Sequence, residues 1–232
     1  MEKVIVLLRD DERDAVWCRR MRTSVGEDIL SLGVAGLTVN VRDDDVRRSL
    51  MTLTTLDPPV VCVVSLWVRQ CYGEQTREAI DRLGGECRSV AAYLVTESVP
   101  LTPPVPELGK RTPGLANVAL LRRPARLDVD TWLARWQLDH TPVAIATQAT
   151  FGYAQNLVVR ALTPDAPTVD AIVEELFPIE AVSDLMAFFG AADQDDLRDR
   201  AQKMIASTSR FGANENVDTV PTSRYVLRTP FA

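Results

Sequence analysis

Five of the chain's fourteen prolines fall in one stretch, "SVPLTPPVPELGKRTPG", Ser98 to Gly114. Proline fixes φ and lacks an amide donor, so neither a helix nor a central strand is expected there. The 232-residue chain is thereby divided almost in half. The division is residues 1–98 as an N-terminal half, 99–113 as a proline-rich linker and 114–232 as a C-terminal half.

Each half reads in the same order. In the first, "KVIVLLR" (Lys3 to Arg9) is a buried strand, and Arg13 to Leu32 has helical periodicity. "GLTVNVRD" (Gly36 to Asp43) alternates as a strand does, and "PVVCVVSLWV" (Pro59 to Val68) is the apolar, β-branched run of a central strand. A helix from Gly73 to Gly85 and a strand from Arg88 to Ser98 complete the half. In the second, Leu115 to Arg123 is a strand. Asp128 to Gln148 is a helix with Asp128 as its N-cap. Phe151 to Leu162 and Val169 to Pro178 are strands, Asp193 caps a further helix, and Thr222 to Pro230 is the last strand.

The order β-α-β-β-α-β, met twice, is the ferredoxin-like unit, with both helices on one face of an antiparallel sheet. The bare sheet face needs a cover. Two such units in one chain supply it for each other. The expected fold class is therefore α+β, two ferredoxin-like repeats packed sheet-to-sheet as an intramolecular α/β barrel.

Composition removes several function classes. With 26 Lys and Arg against 32 Asp and Glu the net charge is −6, and no cationic face is concentrated for nucleic acid. The apolar run Val4 to Leu8 is too short for a signal peptide or a membrane span, so a cytoplasmic protein is expected. Cys18, Cys62, Cys71 and Cys87 form no CxxC pair, and the acidic runs lack calcium-loop spacing, so no metal is expected. No glycine-rich phosphate cradle occurs, and no cofactor is expected.

Chemistry gathers around the single histidine. Trp132, Trp136 and His140 are spaced i, i+4, i+8 and share one stripe of the helix. Thr141-Pro142 disturbs the helix just beyond. A histidine at the end of a buried stripe serves either as a core residue or as a general acid or base titrating near neutrality. On the next strand, Tyr153 and Gln155 point to the helix-covered face while Asn156 points away. Tyr153 reads first as an ordinary strand residue, since Tyr is common in strands, and otherwise as a phenol placed near His140.

"RRPARLDVDTWLARWQLDHTPVA", with "FGYAQNLVVRAL" and "VDAIVEELFPIEAVSDL", resembles the EthD family of dimeric α/β-barrel proteins. That family pairs a W-x3-H helix with a Y-x-Q-N-type strand, and Trp136, His140, Tyr153, Gln155 and Asn156 stand at those positions. The resemblance implies a cleft between sheet and helices and a small apolar, aromatic or polyketide-like ligand. On this reading His140 and Tyr153 are catalytic and Trp136, Gln155 and Asn156 substrate-binding, with Trp132 beside Trp136 as a further wall of the cleft. Relatives in the wider superfamily include polyketide cyclases, dehydratases, cofactor-free monooxygenases and haem-binding enzymes. The first half departs from the pattern, because Met21 falls where His140 stands if Trp17 matches Trp136. One competent site per chain follows.

Three functions fit this reading. The first is a lyase- or cyclase-type enzyme working on an aromatic or polyketide-like carbonyl compound by acid/base chemistry. The second is an oxygen-using or haem-dependent oxidoreductase, and the third a non-catalytic ligand-binding accessory protein. The chain is expected to act as a monomer or homodimer without nucleic-acid or membrane partners.

Overall fold

Strand order decides this architecture. The computed structural model describes residues 1–230. The first half supplies β1 (Glu2–Arg9), β2 (Gly36–Val41), β3 (Val60–Val68) and β4 (Ser89–Leu101). The second supplies β5 (Leu115–Leu121), β6 (Gly152–Ala161), β7 (Ala171–Phe177) and β8 (Asp218–Arg228). Within the halves the orders are β4-β1-β3-β2 and β8-β5-β7-β6, and every neighbouring pair is antiparallel. The halves then join along both edges, β2 to β8 and β4 to β6, to close one barrel of eight strands. The sheets thus share hydrogen-bonded edges as well as facing one another, and closure leaves no strand edge unpaired.

Period-2 alternation sends each strand's side chains to two different cores. Val4, Val6 and Leu8 of β1 pack outward with Met21 and Ile29. They meet the helices α1 (Ala15–Arg22), α2 (Ser24–Ser31) and α3 (Glu74–Gly84) of the first half. Ile5 and Leu7 point inward and meet Val118, Leu120 and Ile172 of the second half inside the barrel. A third core lies between the second half's sheet and its own helices, around Trp132, Trp136, Tyr153, Val173 and Phe211.

Two helices differ from the sequence expectation. The one expected over Arg13 to Leu32 breaks at Thr23, whose φ of −117° and ψ of −98° leave the helical region. The one expected over Asp128 to Gln148 changes pitch. It begins as α4 (Val129–Leu133), with the Asp128 side chain accepting from the Thr131 amide. It widens to a π-helical segment at Ala134–His140 and resumes as α5 (Thr141–Thr147). Pro142 offers no amide to the carbonyl four residues back, and its ring crowds that carbonyl, so a wider turn before it is the local relief. A 3-10 turn at Ile179–Val182 leads to α6 (Leu185–Phe189) and then α7 (Gln194–Phe211), the latter capped by Asp193 as expected.

The proline-rich stretch is not wholly free of strand. β4 continues through Pro100 to Leu101, and its pairing with β6 turns irregular between Ser98 and Leu101. A strand can tolerate proline where the ladder is already broken.

Candidate active site

The site is built on β7, whose sequence "AIVEELF" places two adjacent glutamates in a buried strand. Adjacent strand residues face opposite ways, so the two carboxyls enter different compartments. Glu174 points into the barrel, pairs with Arg224 Nε at 2.7 Å and accepts from Asn40 Nδ2 at 2.9 Å. Glu175 points to the helices. Its neighbours across the sheet are Asn117 on β5 and Tyr153 on β6, giving the polar row Asn117–Glu175–Tyr153.

Trp136 and His140 from the π-helical segment cover this row, with Phe188 and Phe211 beside them, around a cleft of about 210 Å³. No charged group offsets the burial of Glu175, and desolvation pushes its carboxyl up to about 8. The Tyr153 hydroxyl is raised far above the usual phenol range, first by burial and then by the charge of Glu175. Three buried polar atoms at the cleft, Asn117 Oδ1, Gln148 Oε1 and Trp136 Nε1, find no partner among the described residues. The cleft therefore offers a strong potential base, one free donor and two free acceptors inside apolar walls. That is the composition of a small-molecule site.

His140 is in the cleft but does not titrate as expected. Its ring packs on Phe211 at 4.8 Å and its Nδ1 lies 3.0 Å from Ser207 Oγ. Burial drops its pKa to about 4, so the imidazole is neutral at pH 7. The group poised near neutrality is Glu175. A haem fits poorly on His140. The cleft around it, about 210 Å³, is below the roughly 300–1,000 Å³ that drug-sized ligands use, and a porphyrin is larger still. Among the described residues, no three His, Cys, Asp or Glu side chains gather to hold a metal ion.

The structure brings Trp136, His140 and Tyr153 together and separates the other three. Trp132 packs on Trp136 at 5.2 Å but does not line the cleft. Gln155 is used up by neighbours, donating to Thr141 Oγ1 at 2.6 Å and accepting from Ser98 Oγ at 3.0 Å. Asn156 faces the barrel interior, donating to the Ile172 carbonyl at 3.0 Å. Glu175 and Asn117 were not singled out from sequence. The doublet Glu174-Glu175 inside an otherwise apolar strand was the available signal, because a buried strand seldom carries charge.

The first half has no such row. Leu37 lies 116 residues before Tyr153. It pairs with Leu66, which pairs with Val4, so the corresponding row is wholly apolar.

No protein family model and no curated protein matches the chain. Solved structures do. An anthrone oxidase-like protein superposes with a TM-score of 0.56 at 10% identity, over 100% of this chain and 95% of that one. A provisionally assigned monooxygenase from Lactobacillus acidophilus NCFM gives 0.47 at 7% identity, over 98% and 96%. A chlorite dismutase from Candidatus Nitrospira defluvii gives 0.46 at 13% identity, over 97% and 92%. At such identities the first likeness shows the fold alone. It is that of the dimeric α/β barrels, here closed within a single chain.

Proposed function

We propose that the chain is an oxidoreductase that uses dioxygen on a small aromatic ketone or phenol of one or two rings, starting with proton removal by Glu175. The observation that carries this reading is the unpaired, buried Glu175 carboxyl in an apolar cleft. A carboxylate of raised pKa is a stronger base than an exposed one. It suits abstraction of a weakly acidic C–H or O–H proton. The Trp136 indole N–H and the Tyr153 hydroxyl are the donors available to the oxygen on which charge then develops. The resulting electron-rich substrate reduces dioxygen. For a ring CH2 beside a carbonyl, CH2 and O2 become C=O and H2O, with one oxygen atom in each product.

The anthrone oxidase-like name of the structural neighbour favours this over the cyclase or dehydratase reading, in which Glu175 would act as an acid. The two readings differ in pH dependence. A base makes kcat/KM rise with pH to a plateau above about 8, and an acid makes it fall there. The shared strand order of the halves supports two ferredoxin-like units, the second kept for chemistry. A resemblance to the EthD family is supported by the sequence pattern at Trp136, His140, Tyr153, Gln155 and Asn156, of which the cleft brings together the first three. The closed barrel supports a monomer, and no helix of the described residues is long and apolar enough to cross a membrane.

Oxygen consumption with a panel of enolisable aromatic ketones and naphthols is the test. Glu175→Gln keeps the shape of the side chain and removes the base, so turnover should fall by about 10²- to 10⁴-fold. Undiminished oxygen uptake in that variant rejects Glu175 as the base. Conversion of the panel without oxygen uptake would return the chain to the cyclase reading.

A further inference from the structure

A larger cavity of about 580 Å³ lies inside the barrel and takes no part in the chemistry above. Eight strands give a lumen that side chains can just fill or that can hold one small ligand. Here the two ends differ. Toward one end Tyr93, Leu7 and Leu120 fill the space. Toward the other the inward positions carry Thr38, Ser65, Gly152 and Ala154, which are too short to meet across it. Thr102 to Pro106 of the proline-rich segment run along the mouth. The stretch that reads as a linker in the sequence is also part of a cavity wall. β6 divides lumen from cleft, and Tyr153 borders both.

The lining states what it would bind. The walls are mostly apolar, with Ile5, Val63, Val118 and Ile172 among them. The charges are spent on one another, Lys3 with Glu97 and Arg224 with Glu174. Two amides have capacity left. Asn156 donates to Ile172 and Asn40 donates to Glu174, yet the Oδ1 atoms of both are buried without a partner. Asn156 lines the cavity itself, and each of these residues is 1% exposed. A buried acceptor left open is a cost that a donor on a ligand would relieve.

We propose that the lumen is a second binding site, for a neutral, largely apolar small molecule that presents a hydroxyl donor to Asn156 Oδ1. The wall charges are paired, Arg224 Nε lying 2.7 Å from Glu174 Oε1, and the open acceptor on the lining is Asn156 Oδ1, so a hydroxylated aromatic matches and its methyl ether does not.

Calorimetric titration with 2-naphthol and with 2-methoxynaphthalene tests this. Asn156 faces away from the cleft, so Asn156→Leu reads the lumen alone. It removes an unsatisfied acceptor and should fold. It is expected to weaken 2-naphthol about tenfold, the scale of one hydrogen bond, and to leave 2-methoxynaphthalene unchanged. Ala154→Phe fills the lumen and should remove one 2-naphthol site with an unaltered circular dichroism spectrum. If that variant misfolds, the Asn156→Leu pair of titrations decides alone. Affinity for 2-naphthol that is the same in the wild type and Asn156→Leu, or no binding to either, overturns the proposal. The outcome is independent of Glu175, whose role is read from oxygen uptake.

Discussion

At the scale of single residues, burial without a partner is what separates His140 and Glu175 from ordinary core positions. It acts on them in opposite directions. The imidazole loses its proton more easily, at about pH 4 in place of 6.5, and the carboxyl holds its proton up to about pH 8. For His140 the unfolded chain binds a proton between pH 6.5 and 4 that the folded chain does not, so stability falls as pH drops through that window. The loss amounts to at most about 3 kcal/mol at 1.36 kcal/mol per pH unit. For Glu175 the folded chain keeps a proton that the unfolded one releases, so stability declines as pH rises from about 4.5 to 8. His140→Met, which copies Met21 of the first half, should flatten the acid side of the urea-denaturation stability profile. The same slope between pH 6.5 and 4 in both proteins would contradict the burial of a neutral ring.

At the scale of elements, strands were far more legible than the helix over the site. Alternation in "GLTVNVRD" and the apolar run of "PVVCVVSLWV" follow from the two-faced geometry of a strand, and both segments form β-strands. Tyr153 and Gln155 likewise share a face because period 2 demands it. The π-helical segment at Ala134–His140 was hidden, since an i, i+4, i+8 spacing does not distinguish α from π pitch. Only Pro142 hinted at it. Glu175 was hidden for another reason, because its role depends on which strands lie beside β7, and that is long-range information. The segment is tied down by Thr141, whose hydroxyl donates to the Trp136 carbonyl at 3.1 Å and accepts from Gln155 Nε2 at 2.6 Å. Thr141→Val preserves the branch but strands a buried amide donor. Urea unfolding should show a loss of about 1–3 kcal/mol, with Thr141→Ser largely restoring it. A Thr141→Val protein as stable as the wild type would mean that the hydroxyl does not brace the helix.

At the scale of the molecule, closing the barrel inside one chain lets the two halves differ. A homodimeric barrel must carry the same row of residues twice. Here one half keeps Val4, Leu66 and Leu37 where the other carries Asn117, Glu175 and Tyr153. The apolar half contributes packing, one strand at each shared edge and Met51 and Leu53 at the cleft, and the polar half supplies the polar row. The doubled β-α-β-β-α-β order made such a barrel foreseeable, although the edge pairing of β4 with β6 and of β2 with β8 was not. The proposed chemistry depends on Glu175 of the polar half being a buried, unpaired acid. Carbon-13 NMR titration of the glutamate side-chain carboxyls reads that directly, with the Glu175 signal assigned by its absence from Glu175→Gln. A buried, unpaired Glu175 is expected to give a midpoint near 8; a midpoint near the ordinary value of about 4.3 would contradict its role as the buried base.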